Sequence, residues 1–107
     1  MTEGHSTLLF PLDFDERAAW EMELKGFVCA AVKLANGTVL EVTFYDPVRL
    51  AQDLEDEGYI ADPGLIVIRS VTLQCMRDAV EKLQKSGYFE RLVPLTEAEA
   101  RRFQEIA

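Results

Sequence analysis

The sequence has few of the residues from which nucleophilic and metal sites are built. It contains one histidine, His5, and two cysteines, Cys29 and Cys75, which do not form a CxxC pair. No HExxH, GxSxG or P-loop pattern occurs. Because metal sites of histidine and cysteine need several such ligands placed together, we expect no metal and no cofactor. The sequence therefore favours a protein without enzymatic activity.

Two interpretations of Cys75 stay open. It falls in the first turn of a predicted helix, where the helix dipole favours a thiolate, but a nucleophilic thiol also needs a base, and the sequence offers no obvious one. His5 lies in a terminal stretch that we expect to be loosely ordered. The alternative interpretation of Cys75 is an inert, half-buried cysteine.

Long apolar runs are absent as well. The longest uninterrupted run is Phe27 to Val32, whereas a membrane-spanning helix needs about 20 apolar residues. The first residues, MTEGHSTLLFPL, have no basic stretch before their short apolar patch, unlike a signal peptide. Two unpaired cysteines suit a reducing compartment. We therefore predict a cytoplasmic protein that does not enter membranes.

Positive charge is scarce. Eleven basic residues stand against nineteen acidic ones, which gives a formal net charge of −8. The nearest approach to a basic cluster is Arg101-Arg102, so the chain would repel a phosphate backbone and nucleic-acid binding is not expected. The length of 107 residues suits a single domain over 1–107, in which 1–14 is expected to be loosely ordered. The alternative for this stretch is a short edge strand over Ser6 to Phe10.

Alternation of apolar residues predicts a long antiparallel hairpin. Every even position from Trp20 to Leu34 is apolar or glycine, which favours one strand over about 20–34. The alternative for this region is a helix over 15–25 that Asp15 caps and Gly26 ends. The second strand of the hairpin is predicted at 38–45.

The register of this hairpin follows from burial. A three-residue turn, 35–37, sets Val32 against Leu40 and so keeps both apolar faces on one side of the sheet. A two-residue turn at Asn36-Gly37 shifts the pairing by one residue and sets an apolar face against a polar one. The longer turn also uses Gly37 at the position that favours a left-handed conformation.

The rest of the chain alternates between predicted helices and strands. Asp46 is a good N-cap and Pro47 a good first helical residue, which predicts a helix at about 47–57. Further predicted elements are a buried strand at 65–70, a helix at 73–86, a short strand at 88–92 and a helix at 97–106 that starts with a capping box. The expected class is α+β, a small sheet with the helices packed on one face.

One predicted site lies where two strands end. If strands 38–45 and 65–70 are parallel neighbours, their carboxyl ends meet at one rim, and the helices that follow aim their N-termini at it. Tyr45, Arg49, Arg69 and Thr72 would then surround a place suited to a small anion. The structural alternative is that Arg49 pairs with Asp53, one helical turn further on.

A second predicted site is an interaction surface. Phe27 and Tyr45 are paired on the second face of the hairpin, and an uncovered apolar spot there would mark an interface, unless 1–14 or the last helix covers it. Asp53, Glu55, Asp56 and Glu57 form an acidic tract that either is solvated or docks a basic partner. The leading functional hypothesis is a protein-binding domain, in particular a homodimer. The alternatives are an anionic-metabolite or enzymatic site at the rim near Tyr45, Arg49 and Arg69, or an acidic antitoxin or immunity-type partner of a basic protein.

Overall fold

A computed structural model describes residues 6–105 of the chain. In chain order its elements are β1 (Thr7–Pro11), α1 (Glu16–Lys25), β2 (Phe27–Lys33), β3 (Val39–Tyr45), α2 (Pro47–Glu57), β4 (Leu65–Val67), α3 (Leu73–Ser86), a 3-10 turn (Tyr88–Arg91), α4 (Glu97–Ala100) and β5 (Phe103–Gln104). The strands form one five-stranded sheet in the order β4-β3-β2-β1-β5. The predicted α+β class is confirmed. His5 and the predicted last helical residue, Ile106, lie outside the described residues.

The centre of the sheet is the predicted hairpin, in the predicted register. Val32 pairs with Leu40, Ala30 with Val42 and Val28 with Phe44. The turn is closed by Leu34 and Thr38, and Gly37 has a φ of 92°. Burial therefore selected the register, because the shorter turn would have moved these apolar side chains to the other face.

The strand predicted at 20–25 is wrong, because residues 16–25 form α1. The Asp15 carboxylate accepts a hydrogen bond from the Ala18 N–H at 2.8 Å and caps the helix. Gly26 ends it in the left-handed conformation, with a φ of 78°. At about 100° per residue, a helix places Trp20 and Leu24 on one side and Met22 on the other. The alternating apolar residues of this stretch therefore lie on two opposite faces of a helix and not on one face of a strand.

The elements near both ends also differ from the prediction. The first strand lies between β2 and β5, inside the sheet, where Leu8, Leu9 and Phe10 are buried. The predicted helix at 97–106 stops at Ala100, although its capping box, from Thr96 to Glu99, is present. The chain then extends as β5 and pairs with β1, because this pairing satisfies backbone groups that β1 would otherwise leave open.

Two predicted strands are shorter or absent. The strand predicted at 65–70 covers only Leu65–Val67. The strand predicted at 88–92 is wrong, because residues Tyr88–Arg91 form a 3-10 turn. Gly87 ends α3 with a φ of 80°, and the chain turns at once and buries Phe89 under the sheet.

One face of the sheet carries the main hydrophobic core. Its largest fully buried side chains, which come from strands β1, β2 and β3, from α3 and from the segment before α3, are Phe10, Phe44, Leu40, Met76, Val32, Val42 and Val71. Helix α1 contributes Met22 to the same cluster. Helix α2 departs from the predicted layer, because it has no buried residue. Its Arg49 lies over the Phe27 ring and its Asp53 interacts with Tyr45. Phe27 and Tyr45 pair with each other on the face of the sheet opposite this core.

The turn from α1 into β2 packs tightly against the start of α2. The Asp46 N–H donates to the Gly26 carbonyl at 2.8 Å. A Cβ atom added at Gly26 would lie 2.8 Å from the Arg49 Cβ and 2.8 Å from Asp46 Oδ1. Gly26 is therefore required for two reasons, its left-handed backbone and the lack of space beside it.

Replacing this glycine tests the packing of the two helices. Gly26→Ala is expected to lower the free energy of unfolding by about 2 kcal/mol or more, because it adds a clash to the roughly 1 kcal/mol of left-handed strain. Gly58→Ala is the matched control, since Gly58 also ends a helix, has a φ of 86° and has no neighbour within 4 Å of an added Cβ. Urea unfolding of both variants measures the difference. Equal losses would show that the space beside Gly26 is unimportant.

Candidate functional site

The predicted rim exists, because β3 and β4 are parallel. Thr43 pairs with Leu65 and Tyr45 with Val67, so both strands end at the same edge of the sheet. Helices α2 and α3 follow these ends. Of the four residues predicted to surround the rim, Tyr45 and Arg49 share contacts with Asp53. Arg69 is exposed and forms no ion pair with another described residue, and Thr72 accepts the Cys75 N–H at 3.2 Å as the cap of α3.

Arg49 is the centre of a cluster of internal contacts. Its Nε donates to Asp53 Oδ1 at 2.9 Å, and its Nη1 donates to the Lys25 carbonyl at 3.1 Å. The guanidinium carbon lies 4.2 Å from the centre of the Phe27 ring. Phe27 in turn stacks on Tyr45, with ring centres 5.8 Å apart. We call Phe27, Tyr45, Arg49 and Asp53 the arginine cluster.

The arginine cluster explains why a cation occupies the first turn of α2. A positive side chain there opposes the dipole of its own helix. Arg49, however, reaches the last carbonyl of α1, at Lys25, where the dipole of that helix favours a cation. The unfavourable position in α2 is thus offset at the end of α1, and the guanidinium links the two helices.

Tyr45 is affected by the same charges. The pKa of its hydroxyl is raised from the ordinary value of 10.0, first by burial and then by a side-chain hydrogen bond to Asp53 and the negative charge of that carboxylate, while Arg49 acts in the opposite direction. The neutral phenol is therefore the form that the folded protein favours.

These contacts bear on the anionic-ligand hypothesis. The guanidinium of Arg49 is engaged by Asp53, by the Lys25 carbonyl and by the Phe27 ring. The N-terminus of α2 is already capped, since Asp46 Oδ1 accepts the Arg49 N–H at 2.7 Å. An anion entering here would meet both the Asp46 and the Asp53 carboxylates. The geometry thus offers an anion little free positive charge.

The predicted interface residues fall into two groups. Phe27 and Tyr45 are half-buried, and the Arg49 side chain covers Phe27 from the α2 side. The acidic tract is divided in the same way: Asp53 belongs to the arginine cluster, whereas Asp56 and Glu57 are exposed at the end of α2. The acidic tract is therefore partly structural and partly free.

A different apolar surface lies on α1, the helix whose Lys25 carbonyl Arg49 contacts. Trp20 and Leu24 lie one turn apart on α1, and they are 71% and 72% exposed. Met22, on the other side of the helix, is 5% exposed and belongs to the core. We call Trp20 and Leu24 the α1 face. The strand interpretation of this stretch missed it, although the helix interpretation places both side chains opposite Met22.

The two cysteines, which are the remaining candidates for a reactive site, do not pair with each other. Cys29 pairs with Thr43 in the sheet and is an exposed free thiol. Cys75 is a free, half-buried thiol in the first turn of α3, and its reactivity stays a hypothesis. Within residues 6–105, no group of histidine, cysteine, aspartate and glutamate side chains is placed to hold a metal ion. Over the same range, no helix is long and apolar enough to cross a bilayer.

Comparisons of the chain with protein-family models, with curated proteins and with solved structures found no match. The function must therefore be inferred from the geometry of the chain itself.

The state of Tyr45 can be measured directly. Because the pKa of the folded phenol is raised, its contribution to stability is present below pH 10.0 and is lost as the pH rises through the folded value. Asp53→Asn keeps an acceptor but removes the charge, so it should lower the pKa of Tyr45. A titration followed by carbon-13 NMR of labelled tyrosines tests this. A midpoint that Asp53→Asn leaves unchanged would contradict the assigned role of the carboxylate.

The importance of the guanidinium can be tested with a lysine at position 49. Arg49→Lys is expected to cost about 1 kcal/mol of unfolding free energy, because an ammonium cannot stack on Phe27 while donating to both Asp53 and the Lys25 carbonyl. The control is Arg17→Lys: Arg17 also pairs with a carboxylate four residues on, that of Glu21, at 3.1 Å, but its side chain is 83% exposed. That exposed pair should change stability by less than about 0.5 kcal/mol. Thermal and urea unfolding compare the two.

Proposed function

We propose that this protein acts by binding another protein through the α1 face. The observation that carries the proposal is the orientation of α1, which buries Met22 and turns Trp20 and Leu24 to solvent. Large apolar side chains that adjoin one another on a surface are typical of interaction sites, and tryptophan is enriched among residues that dominate binding energy.

The rest of the fold supports a binding surface by holding α1 rigidly. Asp15 caps its first turn, and Phe14, just before the helix, stacks on the buried Phe10 with ring centres 4.4 Å apart. At the other end, the Arg49 guanidinium donates a hydrogen bond to the Lys25 carbonyl, and the Asp46 N–H donates one to the Gly26 carbonyl. A helix fixed at both ends loses little conformational entropy when a partner binds, so it presents its side chains in a preorganised form.

Self-association through Phe27 and Tyr45 is a second proposal, but the contacts favour it less. Arg49 stacks on Phe27 and so leaves less apolar surface there than on α1. Light scattering at several protein concentrations decides it, since a strict monomer removes the homodimer. We place the protein in the reducing cytoplasm, a proposal that the free thiols of Cys29 and Cys75 support.

Ligand binding at the rim near Tyr45, Arg49, Arg69 and Thr72 is retained as the non-protein alternative. It is less favoured because three groups already engage the Arg49 guanidinium. A thermal shift with inorganic phosphate tests it, and a shift that Arg69→Gln abolishes would favour it over the protein-binding proposal.

The α1 face can be tested without knowing the partner. Random-peptide display on the wild-type protein should yield clones that lose binding to the double variant Trp20→Ala/Leu24→Ala and keep it to Val93→Ala, which removes a side chain that is 86% exposed elsewhere. Because both α1 side chains are exposed, the double variant should keep its stability within about 0.5 kcal/mol. If all selected clones bound the double variant as well as the wild type, α1 would not be the binding surface.

A further inference from the structure

The charges beside the α1 face indicate the chemistry of its partner. Glu16 lies four residues before Trp20 and Glu23 lies three residues after it, and both are exposed. Neither of these carboxylates forms an ion pair with another residue in the described part of the chain. At about 100° per residue, both glutamates project from the same flank of the Trp20–Leu24 stripe, so the apolar pair has free negative charge along one side.

The basic residues of α1 do not cancel these charges. Arg17 and Lys25 both pair with Glu21, at 3.1 Å and 3.7 Å. Two cations thus share one carboxylate, within one helical turn on either side of it. Of the carboxylates on α1, Glu16 and Glu23 are the two that form no ion pair within the described part of the chain, and the three acidic and two basic residues of the helix leave it a net charge of −1.

A second copy of this chain fits this surface poorly. Each copy carries a formal charge of −8, so two copies repel each other as they approach. Charge therefore favours a different molecule.

A helix is the partner element that matches the α1 face. Trp20 and Leu24 are four residues apart, which is the spacing of the ridges by which helices pack against each other. Charges that flank such a seam select partners of the opposite charge. Resting on the proposed protein-binding function, we propose that α1 docks a basic amphipathic helix of another protein, with lysines or arginines beside its apolar stripe.

Trp20 is the one tryptophan of the chain, so its fluorescence reports this binding. The probes are three synthetic helices without tryptophan: one with a leucine stripe and lysines, one with the same stripe and glutamates, and one with the lysines but serines in the stripe. The lysine–leucine helix should shift the Trp20 emission to the blue and saturate. The other two should bind at least about tenfold more weakly, because each lacks one of the two matching features.

Matched variants separate local charge from net charge. Glu16→Gln/Glu23→Gln should weaken binding of the lysine–leucine helix about fivefold. Glu55→Gln/Glu57→Gln removes the same charge from α2 and should change binding less than about twofold. Leu24→Ala should weaken binding about tenfold, whereas Val93→Ala should leave it unchanged.

The outcomes also separate this inference from the proposed function. Equal binding of the lysine and glutamate helices, with sensitivity to Leu24→Ala, would overturn the basic partner and leave the α1 face as a binding surface. Equal effects of the two glutamine double variants, or strong binding of the serine helix, would reduce the binding to unspecific charge attraction and overturn the inference. A blue shift with protein concentration alone would make a second copy the occupant. Failure of every helix would overturn the inference, while the peptide-display result decides the proposed function independently.

Discussion

The close approach of two chain segments at Gly26 determines how α1 and α2 are arranged relative to each other. At this point α1 ends, β2 begins and the first turn of α2 arrives from the end of β3. Only a residue without Cβ fits beside Asp46 and Arg49. Because of this contact the Arg49 guanidinium reaches the Lys25 carbonyl and the Phe27 ring. The orientation of α1, and with it the exposure of Trp20, depends on this junction.

The hairpin was predictable because one physical rule determines it. A shift by one residue would turn Val32 and Leu40 to opposite faces of the sheet, so burial allows only the observed register. The caps at Asp46, Thr72 and Thr96 were predictable for the same kind of reason, since each satisfies local backbone groups. The two-residue strand β5 carries no such local signal, because it forms only when β1 is already beside it.

The candidate surfaces were harder to predict because they depend on which face of an element is covered. The pair Arg49–Asp53 follows from its spacing, and the structure confirms it at 2.9 Å. The contact of Arg49 with Phe27 joins residues 22 positions apart and has no local pattern. Trp20 and Leu24 were misassigned because period-two alternation is compatible with a strand and also with a helix that is apolar on two sides. The capping residue Asp15 and the terminal Gly26 were the signals that favoured the helix.

The exposed tryptophan and the acidic composition are consistent with one another in physical terms. An apolar pair on a surface invites self-association, and a high net charge of one sign opposes it by repulsion between copies. The same charge attracts a cationic molecule from a distance, and the apolar pair then supplies the short-range part of the binding energy. Helix α1 combines both properties, because Arg17 and Lys25 are occupied by Glu21 while Glu16 and Glu23 stay free beside Trp20. A surface of this kind disfavours a second copy of the chain and favours a basic partner, without any change in the fold.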